Sequence, residues 1–483
     1  MTSQTETKNK VLNGLFWKIM ENGGAQGVQF LVSIFLARML NPAEYGMVAI
    51  STIFITIANV IVQNGFGTSL IQKKQADEVD FSSVFYLNLL VAAGIYGILF
   101  FVAPYIAHFY QNPQMTAIIR VLSIILFPGA VTSVQTAFVS RKMEFRGLFL
   151  ATLGASVLSG IVSIVMAYRG LGVWALAGQQ ISYYFGLMVV LFITVSWKPQ
   201  LLFSLKRLKR MFSFGWKLLC ASLLDTVFNN IQGLVMGKIY NEETLGYYNR
   251  GEQFPKLIVN NLGTAIQSVM LPVLSANQSD PERIKSMLRR SIMTSSYLIL
   301  PMMAGMIAVA DKLVLAMLGP RWSGSVIFLQ IMCIAYSFWP IHIVNLQALN
   351  AIGRSDVFLR LEIIKKSIGV IVLLIGIQYN AVVMVALKAA ADFLCTFINA
   401  WPNKRLLNYS IFEQWKDILP SILLSVVMGA AVYGIGFLVP GVWGCLLLQI
   451  ISGMILYGVL SWAIKPEVFC YLWDTLKGRF QTK

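Results

Sequence analysis

The sequence predicts an all-α polytopic membrane protein of about 14 transmembrane helices, and three observations lead there. Hydrophobic residues make up 57% of the 483-residue chain and charged residues 12%, against about 45–50% and 25% in a soluble domain; the mean hydropathy is +0.69. Apolar segments of the roughly 17–20 residues that a helix needs to cross the hydrocarbon recur along the whole chain. Basic residues gather on alternate connections between these segments.

In order, the spans are read at 15–40, 46–70, 82–107, 115–139, 148–168, 173–196, 210–240, 254–275, 290–311, 324–350, 358–378, 381–402, 415–438 and 442–464. Their connections are short and carry helix breakers, such as NPAEYG at 41–46, QNPQ at 111–114, NQSDPE at 277–282, GPRWSG at 319–324 and PGVWG at 440–444. The leading MTSQTETKNK is polar and runs straight into the first span, so no cleaved signal peptide is expected. Lys8 and Lys10, Lys73 and Lys74, the 141–146 and 198–210 clusters, and Arg283 to Arg290 lie on one set of connections. Arg354 to Lys366, Lys404 to Lys416 and the tail from Lys465 continue that set. The positive-inside rule then places both termini in the cytoplasm of a multi-pass inner-membrane protein, as an even span count requires. The net charge of +17 is explained by these loops, so no nucleic-acid partner is expected. Five scattered cysteines form no CxxC pair, which argues against a disulfide framework or a zinc site. Walker A, HExxH and GxSxG patterns are absent, so neither enzyme chemistry nor a cofactor is expected.

The chain reads as an internal repeat. Span 1 begins with Trp17-Lys18 and is followed by Tyr45-Gly46; span 7 begins with Trp216-Lys217 and is followed by Leu245-Gly246-Tyr247. QTAFVSRKMEF at 135–145 answers QALNAIGRSDVF at 347–358. Two six-helix lobes, 1–205 and 206–405, are expected, with two further helices and a cytoplasmic tail over 406–483. Six spans per lobe keep both lobes in one orientation, a parallel repeat, which places a substrate path between them.

Each lobe opens with a polar stripe. On span 1, Lys18, Asn22, Gln26, Gln29 and Ser33 are spaced 4, 4, 3 and 4; on span 7, Lys217, Asp225, Asn229 and Gln232 are spaced 8, 4 and 3. Both spacings hold one helix face. Lys18 aligns with Lys217, Gln26 with Asp225 and Ser33 with Gln232 at a constant offset of 199. Such a stripe suits a wet cavity rather than lipid, where a charge costs about 2.5–3.5 kcal/mol. The plainer reading of the two lysines is snorkelling to the interface. Asp225 lies mid-span and Asp392, with Lys388 one turn before it, lies near the middle of span 12; intramembrane carboxylates are candidates for coupling to H+ or Na+. The plainer reading of Lys388 and Asp392 is an i,i+4 ion pair. His342 reads as a satisfied polar residue rather than a proton carrier.

LARMLNPAEYGMVAI (36–50), TSLIQKK with FSSVFYLN (68–74 and 81–88), LGYYNRGEQFPKLIVNNLGTAIQSVMLPVLSANQSDPER (245–283) and MLGPRWSGSVIFLQIMC (317–333) resemble the polysaccharide transporters of the multidrug/oligosaccharidyl-lipid/polysaccharide (MOP) superfamily. The resemblance spans nearly the whole chain and is strongest to the Wzx-type branch of O-antigen flippases and colanic acid exporters. It implies a MATE/MOP-like fold and export of an undecaprenyl-diphosphate-linked oligosaccharide for surface polysaccharide or lipopolysaccharide. It also implies alternating inward- and outward-open states with spans 1 and 7 at the gate, a cationic cavity and, in some members, an ion gradient. Polysaccharide polymerase or assembly proteins would be partners. Physically, Lys18, Lys217 and Lys388 would compensate the diphosphate and Gln26, Gln29, Asn229 and Gln232 would meet the sugar hydroxyls, with Asn22 and Ser33 as further cavity candidates on span 1. The rival reading is an ion-coupled multidrug or metabolite antiporter of the same fold, which an acidic cavity would favour. A scaffold or polymerase partner would need large Arg-rich loops, which the sequence lacks.

Overall fold

The computed structural model describes residues 2–63, 67–73, 76–278 and 280–481, except for the side chains of 2–16, 18, 19, 22, 68, 214, 265, 268, 269, 271, 272, 275, 476 and 478–481. The Lys18 and Asn22 side chains therefore lie outside the described residues. Among the described residues there are helices and no strands. In order these are α1 (Thr2–Met39), α2 (Pro42–Gln63), α3 (Gly67–Gln72), α4 (Glu78–Phe109), α5 (Gln114–Leu122), α6 (Leu126–Lys142), α7 (Phe145–Tyr168), α8 (Val173–Thr194) and α9 (Leu205–Ile239). There follow α10 (Glu242–Ser275), α11 (Pro281–Met317), α12 (Ser325–Ser337), α13 (Trp339–Ala351), α14 (Ser355–Gly376), α15 (Ala381–Leu407), α16 (Ile411–Leu438), α17 (Val442–Ile464) and α18 (Glu467–Gln481).

Among the described residues, 11 segments are long and apolar enough to cross a membrane, with α5–α6 and α12–α13 each counting as one broken span. α1, α10 and α14 are equally long but more polar: α1 carries the stripe described above, and α14 holds Arg360, Glu362, Lys365 and Lys366. Two spans that sequence periodicity reads as continuous are interrupted. A 3-10 turn at Ser123–Ile125 separates α5 from α6, just before Pro128, and Phe338 separates α12 from α13, just before Pro340. Neighbouring helices can satisfy the freed backbone groups, so Pro is tolerated at such depth.

The chain divides into two compact units, Met1–Gly246 and Tyr247–Lys483. In the first, α7 presents a stripe of small buried residues, Ala151, Ala155, Ser159, Gly160 and Ser163, on which α1 and α8 pack. Membrane helices approach closely over such residues because lipid offers no hydrophobic drive to separate them from solvent. A Cβ on Gly160 would lie 2.5 Å from Val32 Cγ2 of α1.

The α8–α9 connection is strapped to the start of α4. Trp197 is buried against Phe81, Phe85 and Phe138, and its indole N–H donates to Glu78 (2.8 Å). Gln200 and Ser204 donate their backbone N–H to Ser82 (3.1 Å) and Ser83 (2.9 Å). Asp77 forms a capping box with Asp80 at the α4 N-terminus. Arg207 Nη1 reaches Asp77 at 2.5 Å and Asp80 Oδ1 at 3.5 Å, while Lys73 Nζ lies 2.5 Å from the fully buried Asp80.

The Arg207 guanidinium holds the Asp77 carboxyl down at about 2. A depressed carboxyl stabilises the fold above its unfolded value, and that contribution disappears as pH falls towards 2. Stability should therefore drop between pH 4 and pH 2 more steeply in the wild type than in Arg207→Gln. Because the pair is half exposed, solvent screens it and the difference should be small. Thermal unfolding across that pH range checks this; identical slopes would remove the pair from the acid response.

In the second unit, Arg289 of α11 grips two helices with one guanidinium. It donates to both oxygens of Asp417 on α16 (3.0 and 3.0 Å) and of Glu467 on α18 (2.7 and 2.6 Å). Tyr409 adds an O–H bond to Asp417 (2.7 Å), and the Arg289 bond holds the Glu467 carboxyl below its usual range. Deeper, fully buried Asn345, Asn403 and Gln414 bond one another across α13, α15 and α16. Amide networks of this kind fix register, because each group left unpaired would cost about 1–3 kcal/mol.

Candidate functional site

On α9 the stripe is turned outward from the first unit's core. Lys217, Asp225 and Asn229 are exposed, Asn229 Nδ2 donates to Asp225 Oδ2 at 3.0 Å, and Gln232 is buried with an Nε2 that meets no acceptor. Asp225 sits near the middle of the Gly215–Ile239 span. An exposed carboxylate at that depth needs water or a polar partner, so this face suits a hydrophilic groove. On α1, Gln26 is exposed and Gln29 half-buried. Ser33 is buried and donates back to the Phe30 carbonyl at 2.7 Å, so its hydroxyl hydrogen is already used.

A second polar cluster lies inside the second unit. Lys388 Nζ and Asp392 Oδ2 are 2.8 Å apart on α15, both just under half exposed. His342 of α13 bonds the Asp392 carbonyl (3.1 Å) through Nε2 and the Asn399 amide (2.7 Å) through Nδ1; both ring nitrogens are satisfied. Nearby, Glu252 of α10 accepts from Tyr336 of α12 (2.8 Å) and pairs with Lys256 (3.2 Å). Glu252 and Asp392 both act electrostatically on Tyr336, and Lys365 and Lys388 on His342. Glu362 and Lys365 of α14 pair at 2.5 Å. Three intrahelical ion pairs thus share one neighbourhood. Sequence reasoning found only one of them. Glu252–Lys256 and Glu362–Lys365 show opposite charges three or four residues apart, as Lys388–Asp392 does, but in the more polar helices α10 and α14.

The third feature is a close docking of the start of α2 on the start of α10. Asn41 joins α1 to α2 and Asn241 joins α9 to α10, and Gly46 and Gly246 lie near the starts of α2 and α10. A Cβ on Gly46 would lie 1.7 Å from the Glu242 carbonyl oxygen, and one on Gly246 would lie 2.1 Å from the Pro42 carbonyl oxygen. The approach is backbone on backbone, reciprocal, and open only to glycine. Below it α9 crosses α2 through Gly233 and Gly237, against Ile53 and Ile50. The end of α4 joins in: Asn112 donates to Glu242 (2.7 Å), Tyr110 to the Leu234 carbonyl (3.2 Å), and Lys238 to the Phe109 carbonyl.

In the first unit the α9 and α1 faces carry Lys217, Asp225 and a set of amides, and in the second unit α10, α14 and α15 carry three lysines paired with three carboxylates. Among the described residues no group of three or more His, Cys, Asp or Glu is placed to hold a metal.

Residues 35–327 match the family described as "Polysaccharide biosynthesis protein". The chain is 22% identical over 429 residues to the teichuronic acid biosynthesis protein TuaB of Bacillus subtilis (strain 168), covering 88% of this chain and 89% of that protein. It is 21% identical over 446 residues to the lipopolysaccharide biosynthesis protein WzxC of Escherichia coli (strain K12), covering 88% and 89%. The fold is similar to that of the lipid II flippase MurJ in an inward closed conformation, with a TM-score of 0.75 at 15% identity over 94% of this chain and 99% of that one.

Proposed function

The chain belongs to the family of polysaccharide biosynthesis proteins, and on that premise we propose that it is a flippase. Its substrate would be an undecaprenyl-diphosphate-linked oligosaccharide, carried across the cytoplasmic membrane for surface polysaccharide or lipopolysaccharide biosynthesis. Family membership over more than half of the chain carries the reading, and the flippase fold supports it. In this scheme 1–205 and 206–405 act as two lobes in alternating access, with 406–483 appended and both termini cytoplasmic. The lipid tail stays in the bilayer while the head passes the polar face of α9.

Lys217 and Lys388, with Lys18 at the same level of the repeat, compensate the diphosphate by charge-assisted hydrogen bonds. Gln26, Gln29, Asn229 and Gln232 meet sugar hydroxyls, and the unpartnered Gln232 Nε2 is a donor awaiting an acceptor. Asn22 and Ser33 belong to the same helix face of α1. Alternation requires the Gly46–Gly246 docking to part at one stage of each cycle. Polymerase and assembly proteins would take the delivered head on the far side. The antiporter reading requires an acidic cavity, whereas the exposed α9 stripe carries one Lys against one Asp and the second unit's cluster balances three Lys against three carboxylates.

Cells that lack the protein should accumulate the lipid-linked oligosaccharide in a form shielded from a lectin added outside the cytoplasmic membrane of spheroplasts. Complementation should expose it, and exposure at equal levels in both strains would refute the assignment. Asp225 and Asp392 are the proposed sites of H+ or Na+ coupling. Asp225→Asn should lose the dependence of flipping on an imposed proton or sodium gradient; an unaltered dependence excludes Asp225 from coupling.

A further inference from the structure

A cavity of about 540 Å³ opens in the first unit where α1, the α6–α7 turn and the end of α8 meet. Its volume lies within the roughly 300–1,000 Å³ of small-molecule sites. None of the stripe residues on α1 or α9 lines it, and neither does any residue of the second unit's ion-pair cluster.

Its walls have two chemistries. Trp17, Phe138 and Phe145 supply aromatic surface, with Trp17 5.5 Å from the ring of Phe149 behind it. Arg146 also lines the cavity, its guanidinium 5.7 Å from the Trp17 ring. Two more cations flank it. Lys142, one residue before the cavity's Met143, lies 4.4 Å over Phe138, and Lys198, two residues beyond its Ser196, lies 4.5 Å over Phe192. Among the described residues that line the cavity, Glu144 is the one carboxylate, with the hydroxyls of Thr194 and Ser196 beside it. The turn that brings them together is fixed by Met143, which ends α6 in the left-handed region at φ 58.

We infer that this cavity binds the headgroup of an anionic phospholipid of the phosphatidylglycerol class, from the surrounding leaflet. Position and charge select it. The cavity lies at helix ends, where headgroups sit, and aromatic residues with Arg or Lys are the side chains that anchor at that level. The excess of cations suits a phosphodiester, which Arg146 can take in a forked hydrogen bond. Glu144, Thr194 and Ser196 offer acceptors to a headgroup that carries free hydroxyls. The acyl chains lie along the aromatic wall. No stripe residue lines the cavity, so the lipid is assigned as a resident of the first unit rather than as cargo.

The full-length protein in a neutral, lipid-free detergent is titrated with phosphatidylglycerol while its melting temperature is followed. A saturable upward shift is expected, with a half-saturating concentration at least fivefold higher in Arg146→Gln and in Trp17→Ala, restored in Arg146→Lys, and unaltered in Arg169→Gln. Phosphatidylcholine should give no saturable shift. An equal response to phosphatidylcholine, or wild-type titrations in Arg146→Gln and Trp17→Ala, overturns the site. A saturable shift with inorganic phosphate alone would make it a free-anion site. If undecaprenyl diphosphate produces the Arg146-dependent shift and phosphatidylglycerol does not, the phospholipid assignment is wrong and the cavity belongs to the transport substrate.

Discussion

Gly46→Ala and Gly246→Ala are each expected to cut flipping to below a tenth of the wild-type rate while the protein still reaches the membrane. The added carbon would lie 1.7 Å or 2.1 Å from a backbone carbonyl oxygen, far inside van der Waals contact. A side chain could swing away; a backbone carbonyl in the first turn of a helix cannot. Overpacking costs about 1–3 kcal/mol, and each 1.4 kcal/mol is about a tenfold change in a two-state population. The docked state of α2 on α10 would thus lose its place in the cycle. A disulfide between Asn112→Cys and Glu242→Cys, whose native side chains meet at 2.7 Å, reports the docking. Its yield should fall sharply in the Gly46→Ala background. Unchanged yield and unchanged transport would show that the docking carries no part of the cycle.

Replacing Lys217 and Lys388 together by Ala should lower flipping about a hundredfold, and each alone about tenfold. A hydrogen bond to a charged group is worth about 1.5–3 kcal/mol, and two phosphates present two such partners. Lys388→Ala leaves Asp392 without its 2.8 Å partner, but both are just under half exposed, so the loss should fall on transport more than on folding. Initial rates in vesicles at fixed substrate check this, with Lys→Arg at both positions expected to recover most of the activity. Wild-type rates in the double variant would remove the diphosphate role from these lysines.

The helices were legible because twenty apolar residues in a row leave few alternatives to a membrane helix. Their interruptions were not. Pro128 and Pro340 follow the breaks before α6 and α13, yet Pro104, Pro301, Pro402 and Pro420 sit inside unbroken helices, so Pro alone does not mark a break. α3 and α18 escaped because six and fifteen residues are too short for the span criterion. The repeat pointed to Gly46 and Gly246 as matching positions, but no pattern in one chain says that matching turns touch. The polar stripe on α9 was readable from its 3.6-residue period; of its residues Lys217, Asp225 and Asn229 are exposed and Gln232 is buried. The Glu252–Lys256 and Glu362–Lys365 pairs were passed over because Lys365 reads as part of a basic connection, whereas α14 carries it well inside a 22-residue helix.

The most direct test of the central claim is a leaflet-resolved assay in sealed vesicles. Purified protein is reconstituted with a fluorescent undecaprenyl-diphosphate oligosaccharide, and a membrane-impermeant quencher reads the fraction in the outer leaflet. Protein-containing vesicles should exchange the lipid between leaflets at least tenfold faster than protein-free ones, and the Lys217→Ala/Lys388→Ala protein should not. Exchange no faster than in protein-free vesicles, alongside transport of a lipophilic cation by the same preparation, would contradict the flippase account and leave the antiporter in its place.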